Sequence, residues 1–227
     1  MDTKTETINT GQTLSFRGEI TPTSYGIGSF SVNKKFNLLG NCMSLLFGDN
    51  AANNFSLEGK DGAFTSLFEA SKVIEVSDTF LPATILSSFC YYQMFVDCDY
   101  LIKAPTLPAT TLAKDCCLYM FSGCTSLTTA PELPAMTLAI GCYMAMFQGC
   151  SNLTTAPELL APMLVDDCYQ HMFGGCTKLN YIKMLATDMS VDGCLYGWVN
   201  GVASTGTFVK HPDMINLPTG ISGIPNG

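Results

Sequence analysis

The sequence predicts a repetitive α/β solenoid, in which coils of one short strand and one short helix stack behind an N-terminal β cap. The main observation is a Met-Phe pair that recurs every 26 residues, followed each time by a cysteine three positions later. A second cysteine column and three leucine columns keep the same period. Repetition at a fixed period of this length is typical of solenoids. The Met-Phe pairs are Met94-Phe95, Met120-Phe121, Met146-Phe147 and Met172-Phe173. The cysteines that follow them are Cys98, Cys124, Cys150 and Cys176.

The best-formed repeat runs from Leu127 to Asn152 and reads LTTAPELPAMTLAIGCYMAMFQGCSN. Its Thr-rich start, 127–130, suits a short strand that ends before Pro131, because proline cannot donate to a strand ladder. Apolar residues recur at i, i+4, i+7 and i+8 from Leu138 to Met146, which predicts a short helix with one buried stripe. Gly149 then fits the left-handed position that ends a helix.

The repeats divide the chain into three parts. Residues 1–61 are predicted to be an N-terminal β cap, because Thr13–Glu19 and Ser29–Val32 alternate like half-exposed strands. Residues 62–202 are predicted to form a solenoid of four to five coils, each of which buries its apolar face against its neighbours. Residues 203–227 form a tail with one predicted strand over Gly206–Lys210.

The pattern LTTAPELPAxTLAxxCYxxMFxGC resembles the BspA-like leucine-rich repeat family of anaerobic gut and oral bacteria. The resemblance is strongest from Phe80 to Cys194. It implies a leucine-rich repeat fold and a protein of the cell surface, and some characterised relatives are adhesins for matrix or plasma glycoproteins. It implies a fold and not a reaction.

Composition and charge exclude several function classes. The chain has 227 residues, 47% of them hydrophobic, a net charge of −8 and a single arginine, Arg17. Nucleic-acid binding needs clustered Lys and Arg, so no nucleic-acid partner is expected. No apolar run approaches the ~18–20 residues that span a bilayer, and membrane insertion is not expected. The start of the chain lacks an apolar signal segment, which predicts either a protein that is not secreted or a mature chain.

Eleven cysteines leave three readings open: a buried ladder of free thiols, disulfide bonds, or a metal site. Zinc sites usually pair cysteines two to four residues apart. Here the two columns lie eight residues apart within a repeat, as at Cys90 and Cys98, and the only adjacent pair is Cys116-Cys117. Free cysteine is among the most buried residue types, so the ladder is the favoured prediction and no cofactor is expected.

Catalysis is not predicted. His171 shares its repeat position with Tyr119 and Ala145, which indicates an exposed, variable site, and His211 has no evident partner. The acidic pairs Asp166-Asp167 and Asp97/Asp99 fit solvated turns. Paired threonines, at 128–129 and 154–155, suggest an ice-binding array but span only two repeats.

We expect a non-enzymatic recognition or adhesion protein, a monomer at the cell surface or outside the cell, that presents its repeat surface to a protein or glycan. The alternative is a structural module of a larger surface or phage-type assembly. Fold-to-function inference of this kind is analogy. Eight residues vary between repeats and are predicted to face solvent as candidate binding residues: Lys103, Lys114, Gln148, Asp166, His171, Lys178, Asn180 and Tyr181.

Overall fold

Parallel pairing between successive segments organises the chain. The computed structural model describes residues 21, 26–30, 32, 34–214 and 219–224. Its elements in chain order are β1 (Phe36–Leu38), α1 (Ser44–Phe47), a 3₁₀ helix (Gly48–Asn53), β2 (Val73–Val76), β3 (Tyr181–Met184) and β4 (Thr207–Lys210). Strand β1 pairs in parallel with β2, and β3 pairs in parallel with β4. The strand predicted in the tail is therefore present as β4.

Between β2 and β3 the predicted strands are reduced to single bridges. Lys103 pairs with Thr129 and Thr155 pairs with Tyr181, each across 26 residues. A proline follows two residues after the bridging position at Pro105, Pro131 and Pro157. Because proline has no N–H to donate, the ladder stops there. Strands β2 and β3 contain no proline and extend over four residues each.

The short helix predicted in each repeat is wrong. In the described residues these segments are six ten-residue runs of turns, here called turn ribbons, at 61–70, 88–97, 114–123, 140–149, 166–175 and 192–201. In the ribbon 140–149, a residue with a left-handed backbone occurs every fourth position: Gly141 at φ 61°, Ala145 at φ 50° and Gly149 at φ 76°. A left-handed residue in each turn breaks the i→i−4 bonds of an α-helix.

Hydrogen bonds explain why the turns are stable without a helix. In the ribbon 140–149, even-numbered N–H groups donate to the carbonyl three residues back, as Met144 does to Gly141 at 3.1 Å. Odd-numbered N–H groups of this ribbon donate to the next ribbon, as Ala145 does to Gln170 at 2.7 Å and Phe147 to Met172 at 3.0 Å. Lateral bonding thus pairs the donors that an isolated turn would leave free. The four-residue period of the ribbon therefore accounts for the apolar spacing from Leu138 to Met146, which also fits a helix.

The core is a set of columns that run through the ribbons. Phe68, Phe95, Phe121, Phe147 and Phe173 stack with ring centroids 5.5–5.8 Å apart, and Trp198 continues the column at 6.4 Å. The Met and Cys columns beside them are buried as well, and so are the Leu columns apart from the half-buried Leu112. Each buried ring of this size contributes about 1.5–3 kcal/mol relative to exposure. The core therefore has no centre and extends from repeat to repeat.

The described part of the predicted cap contains little strand. Ser29, Phe30 and Val32 are not in a strand, and the predicted strand at Thr13–Glu19 lies outside the described residues. The N–H of Phe30 donates to Leu67 at 2.7 Å, and that of Leu57 donates to Ile85 at 2.9 Å. The segment thus lies against the first repeats with β1, α1 and the 3₁₀ helix, where the alternation had suggested two strands.

Candidate functional site

The eight predicted binding residues fall into two groups on different parts of the repeat. Lys103, Lys178, Asn180 and Tyr181 lie on the bridges or just before them, and Lys114, Gln148, Asp166 and His171 lie on the turn ribbons. Six of the eight are exposed, as predicted. Gln148 and His171 are half-buried, so the predicted exposure is wrong for these two. The structure does not gather the eight into one site.

On the bridge side, each predicted residue contacts the preceding repeat. Lys103 Nζ lies 3.1 Å from Asp78 Oδ1, and Lys178 Nζ lies 2.6 Å from Asn152 Oδ1. The N–H of Asn180 donates to the Thr154 carbonyl at 3.0 Å. These side chains are solvated, so the pairs add little stability and leave the charges open to a partner.

On the ribbon side, His171 packs against its neighbour in the next repeat. Its ring meets that of Tyr196 edge to face, with centroids 5.4 Å apart. It has a left-handed backbone, at φ 53°, and its Nδ1 would lie 2.4 Å from a Cβ placed on Gly197. The glycine makes room for the imidazole, which explains the half-buried state that the sequence did not indicate.

The acidic candidates are held by neighbouring side chains. Asp167 accepts a bond from Gln170 Nε2 at 2.7 Å, and Asp99 accepts one from Thr125 Oγ1 at 2.9 Å. Burial raises the pKa of Asp115, against the opposing effect of Lys114. His211 Nδ1 lies 3.7 Å from Asp213 Oδ2 and accepts the Asp213 N–H at 3.2 Å.

All eleven cysteines are free and buried. Burial raises the pKa of Cys98, Cys168 and Cys176 to about 12 and that of Cys194 to about 11. A thiolate is the reactive form, so such thiols are poor nucleophiles. Among the residues that the structure describes, no group of three or more His, Cys, Asp or Glu side chains could hold a metal ion. Their burial agrees with the predicted ladder of free thiols. That the thiols stay reduced in solution remains a prediction.

Sequence reasoning missed a cluster of aromatic rings on the second and third turn ribbons. Phe89 meets Tyr92 with centroids 6.1 Å apart, and Tyr92 meets Tyr119 at 6.4 Å. Phe89 is 39% exposed, and both tyrosines are half-buried. The available signal was that Phe89 occupies the repeat position that holds Asp115, Gly141, Asp167 and Gly193 elsewhere.

Two shallow cavities lie on the last repeat. One of about 220 Å³ is lined by 189–196 and Ser222, and one of about 180 Å³ is lined by 199–201 and 220–221. Neither contains any of the eight predicted residues.

The described part of the chain contains no helix long and apolar enough to cross a bilayer. Comparison with protein-family models, with curated proteins and with solved structures found no match to this chain.

Proposed function

We propose that this protein is a leucine-rich repeat solenoid that acts in recognition or adhesion, presenting its repeat surface to a protein or glycan at the cell surface, without catalysing a reaction. The observation that supports this most is the division of each repeat into constant buried positions and variable exposed ones. Phe95, Phe121 and Phe147 repeat without change in the core. At the bridge position the residue changes from Lys103 to the threonines 129 and 155 and then to Tyr181, while the backbone pairs 103 with 129 and 155 with 181.

Such a surface is suited to binding through many weak contacts. The lateral hydrogen bonds fix the spacing of successive repeats, so exposed side chains are held in rows before a partner arrives. The bridge side combines Lys103, Asn180 and Tyr181 with an acidic neighbour, Asp78, which favours a partner of mixed polarity over a polyanion. Solenoids commonly use such extended surfaces for binding.

The poor reactivity of the thiols supports a role other than catalysis. A cysteine nucleophile needs a depressed pKa or a nearby base. Burial acts in the opposite direction at Cys98 and Cys176, raising the pKa of both. His171 is engaged with Tyr196.

The test is binding of the folded protein to an array of matrix proteins, plasma glycoproteins and glycans. We expect a saturable interaction that Lys178→Ala or Tyr181→Ala weakens, with Lys34→Ala, an exposed lysine near β1, as the matched control. Sedimentation or size exclusion at micromolar concentration is run on the same sample. A monomer that binds supports recognition. If the protein instead self-associates as its concentration rises and binds no ligand on the array, recognition is contradicted and the structural-module alternative is favoured.

A further inference from the structure

The aromatic cluster of Phe89, Tyr92 and Tyr119, here called the ring cluster, has features that packing alone does not explain. Phe89 has a left-handed backbone at φ 56°, and Tyr119 has one at φ 55°. This conformation is unfavourable for bulky residues. At the position of Phe89, later repeats place Asp115 or Gly141, which tolerate it better.

Burial of the Phe89 side chain does not offset this backbone strain. Its side chain remains 39% exposed, whereas the core rings of Phe95 and Phe121 are fully buried. Strained residues persist where the surroundings hold them, and they concentrate at functional sites. Left-handed positions recur in every ribbon, but at this one the following ribbons place only Asp or Gly, and Phe89 alone places a large, partly exposed ring there. This departure from the repeat points to a site.

Both uncharged and charged polar groups lie around the rings. Thr65 Oγ1 donates to the carbonyl of Phe89 at 3.3 Å, and Ser66 Oγ lies 3.5 Å from Gln93 Oε1. The pKa of Tyr92 is raised by burial, then by Tyr119 and Glu69, so its phenol keeps its proton as a donor. The rim thus offers hydroxyl and amide groups together with the carboxylates of Glu69 and of Asp61, which accepts the Ser88 N–H at 3.2 Å.

We propose that the ring cluster is a binding site for a neutral glycan, a proposal that rests on the recognition function proposed above. The faces of hexose rings carry C–H groups with slight positive charge, and these groups are attracted to the negative face of an aromatic ring. Their hydroxyls match the amide, hydroxyl and carboxylate groups of the rim. A negatively charged glycan would meet Glu69 and a chain of net charge −8.

An apolar peptide anchor fits this surface less well. Anchors of that kind are buried in well-packed pockets at the centre of an interface. At the ring cluster Phe89 is 39% exposed, and Tyr92 and Tyr119 are half-buried. The open rings and polar rim favour stacking of a flat sugar over insertion of a side chain.

The experiment measures binding of cellohexaose, maltoheptaose, mannohexaose and chitohexaose to the full chain by calorimetry. We expect at least one to bind with a Kd of about 1 mM or tighter, and Phe89→Gly and Tyr119→Ala each to weaken it about tenfold or more. Tyr196→Ala is the matched control, since this ring is exposed on the same side three ribbons beyond Tyr119. We expect it to bind within about twofold of the parent. Gly141 and Gly193 occupy the same repeat position, so a glycine at position 89 is compatible with the ribbon. We therefore expect the melting temperature of Phe89→Gly to stay within about 3 °C of that of the parent protein.

Two outcomes would overturn the glycan site while leaving recognition intact. In the first, none of the four sugars binds although a matrix protein on the array does. In the second, a sugar binds but neither Phe89→Gly nor Tyr119→Ala weakens it, which places the site elsewhere. Loss of a protein ligand in Phe89→Gly, without sugar binding, would make the cluster a protein-docking face. If neither the sugars nor any protein on the array binds, both proposals are overturned.

Discussion

The thiol of Cys124 donates a hydrogen bond to the backbone carbonyl of Phe95, with Sγ and O 3.1 Å apart. The same relationship recurs between Cys150 and Phe121 at 3.1 Å and between Cys176 and Phe147 at 3.0 Å. The second cysteine column therefore joins each repeat to the ring stack of the repeat before it. In the first column the thiol contacts are longer, as from Cys90 to the Cys116 carbonyl at 3.9 Å, and among the described residues the thiol of Cys142 donates no hydrogen bond.

This difference predicts unequal costs for the same substitution. Cys142→Ser should lower the free energy of unfolding by about 1–3 kcal/mol, because it buries a hydroxyl without a partner. Cys124→Ser should cost about 1 kcal/mol less, because its hydroxyl inherits an acceptor in Phe95. Urea unfolding of the two variants measures the difference. Equal costs would show that the thiol bond to Phe95 contributes nothing.

A second prediction concerns the fit between Asp115 and Gly141. A Cβ on Gly141 would lie 2.1 Å from Asp115 Oδ1, whereas one on Gly149 would meet nothing closer than 3.6 Å. Both glycines have positive φ, so Gly149→Ala is a matched control for the backbone cost alone. We expect Gly141→Ala to be more destabilising than Gly149→Ala by about 1 kcal/mol.

The double-mutant cycle separates the clash from the backbone. In an Asp115→Ala background the extra cost of Gly141→Ala should vanish, because the carboxylate that it displaces is absent. Persistence of the extra cost would place its origin in the backbone of the ribbon and not in the contact with Asp115.

The buried thiols predict a loss of stability at alkaline pH. Burial raises the pKa of Cys98 and Cys176 from 9.0 to about 12. Between these values the unfolded chain has released the proton and the folded chain retains it, so the free energy of unfolding falls as pH rises. Stability should be unaffected by these groups below pH 9 and fall by about 1.4 kcal/mol per pH unit for each such thiol above it.

Thermal unfolding between pH 7 and 11 measures this slope. Cys98→Ala and Cys176→Ala, although less stable at pH 7, should show a shallower decline. A decline of unchanged slope in both variants would assign the alkaline sensitivity to other groups, such as the buried tyrosines Tyr91 and Tyr169, whose pKa burial also raises.

The ladder arrangement also predicts the number of thiols. Titration of the denatured, unreduced protein should find all eleven cysteines free, and titration of the folded protein should find them slow to react. A count of one or three in the denatured protein would mean that disulfides staple the repeats together and would contradict the ladder.

The sequence alone determined the period, the register and the buried columns. A Phe or Cys that recurs every 26 residues must occupy equivalent positions if the repeats stack, and burial of Phe121, Phe147 and Cys150 follows from that regularity. The end of each bridge segment was also readable, because Pro131 lacks a donor whatever surrounds it.

The backbone of the ribbons was decided by the tertiary structure. Leu138–Phe147 has a spacing that fits a helix, but the bonds that hold this segment run between repeats, as from Ala145 to Gln170. A sequence read one repeat at a time does not contain these partners, so local periodicity favoured bonds within the segment. The ring cluster was hidden for the same reason: Tyr92 and Tyr119 lie 27 positions apart, and only stacking of adjacent ribbons brings their rings within 6.4 Å.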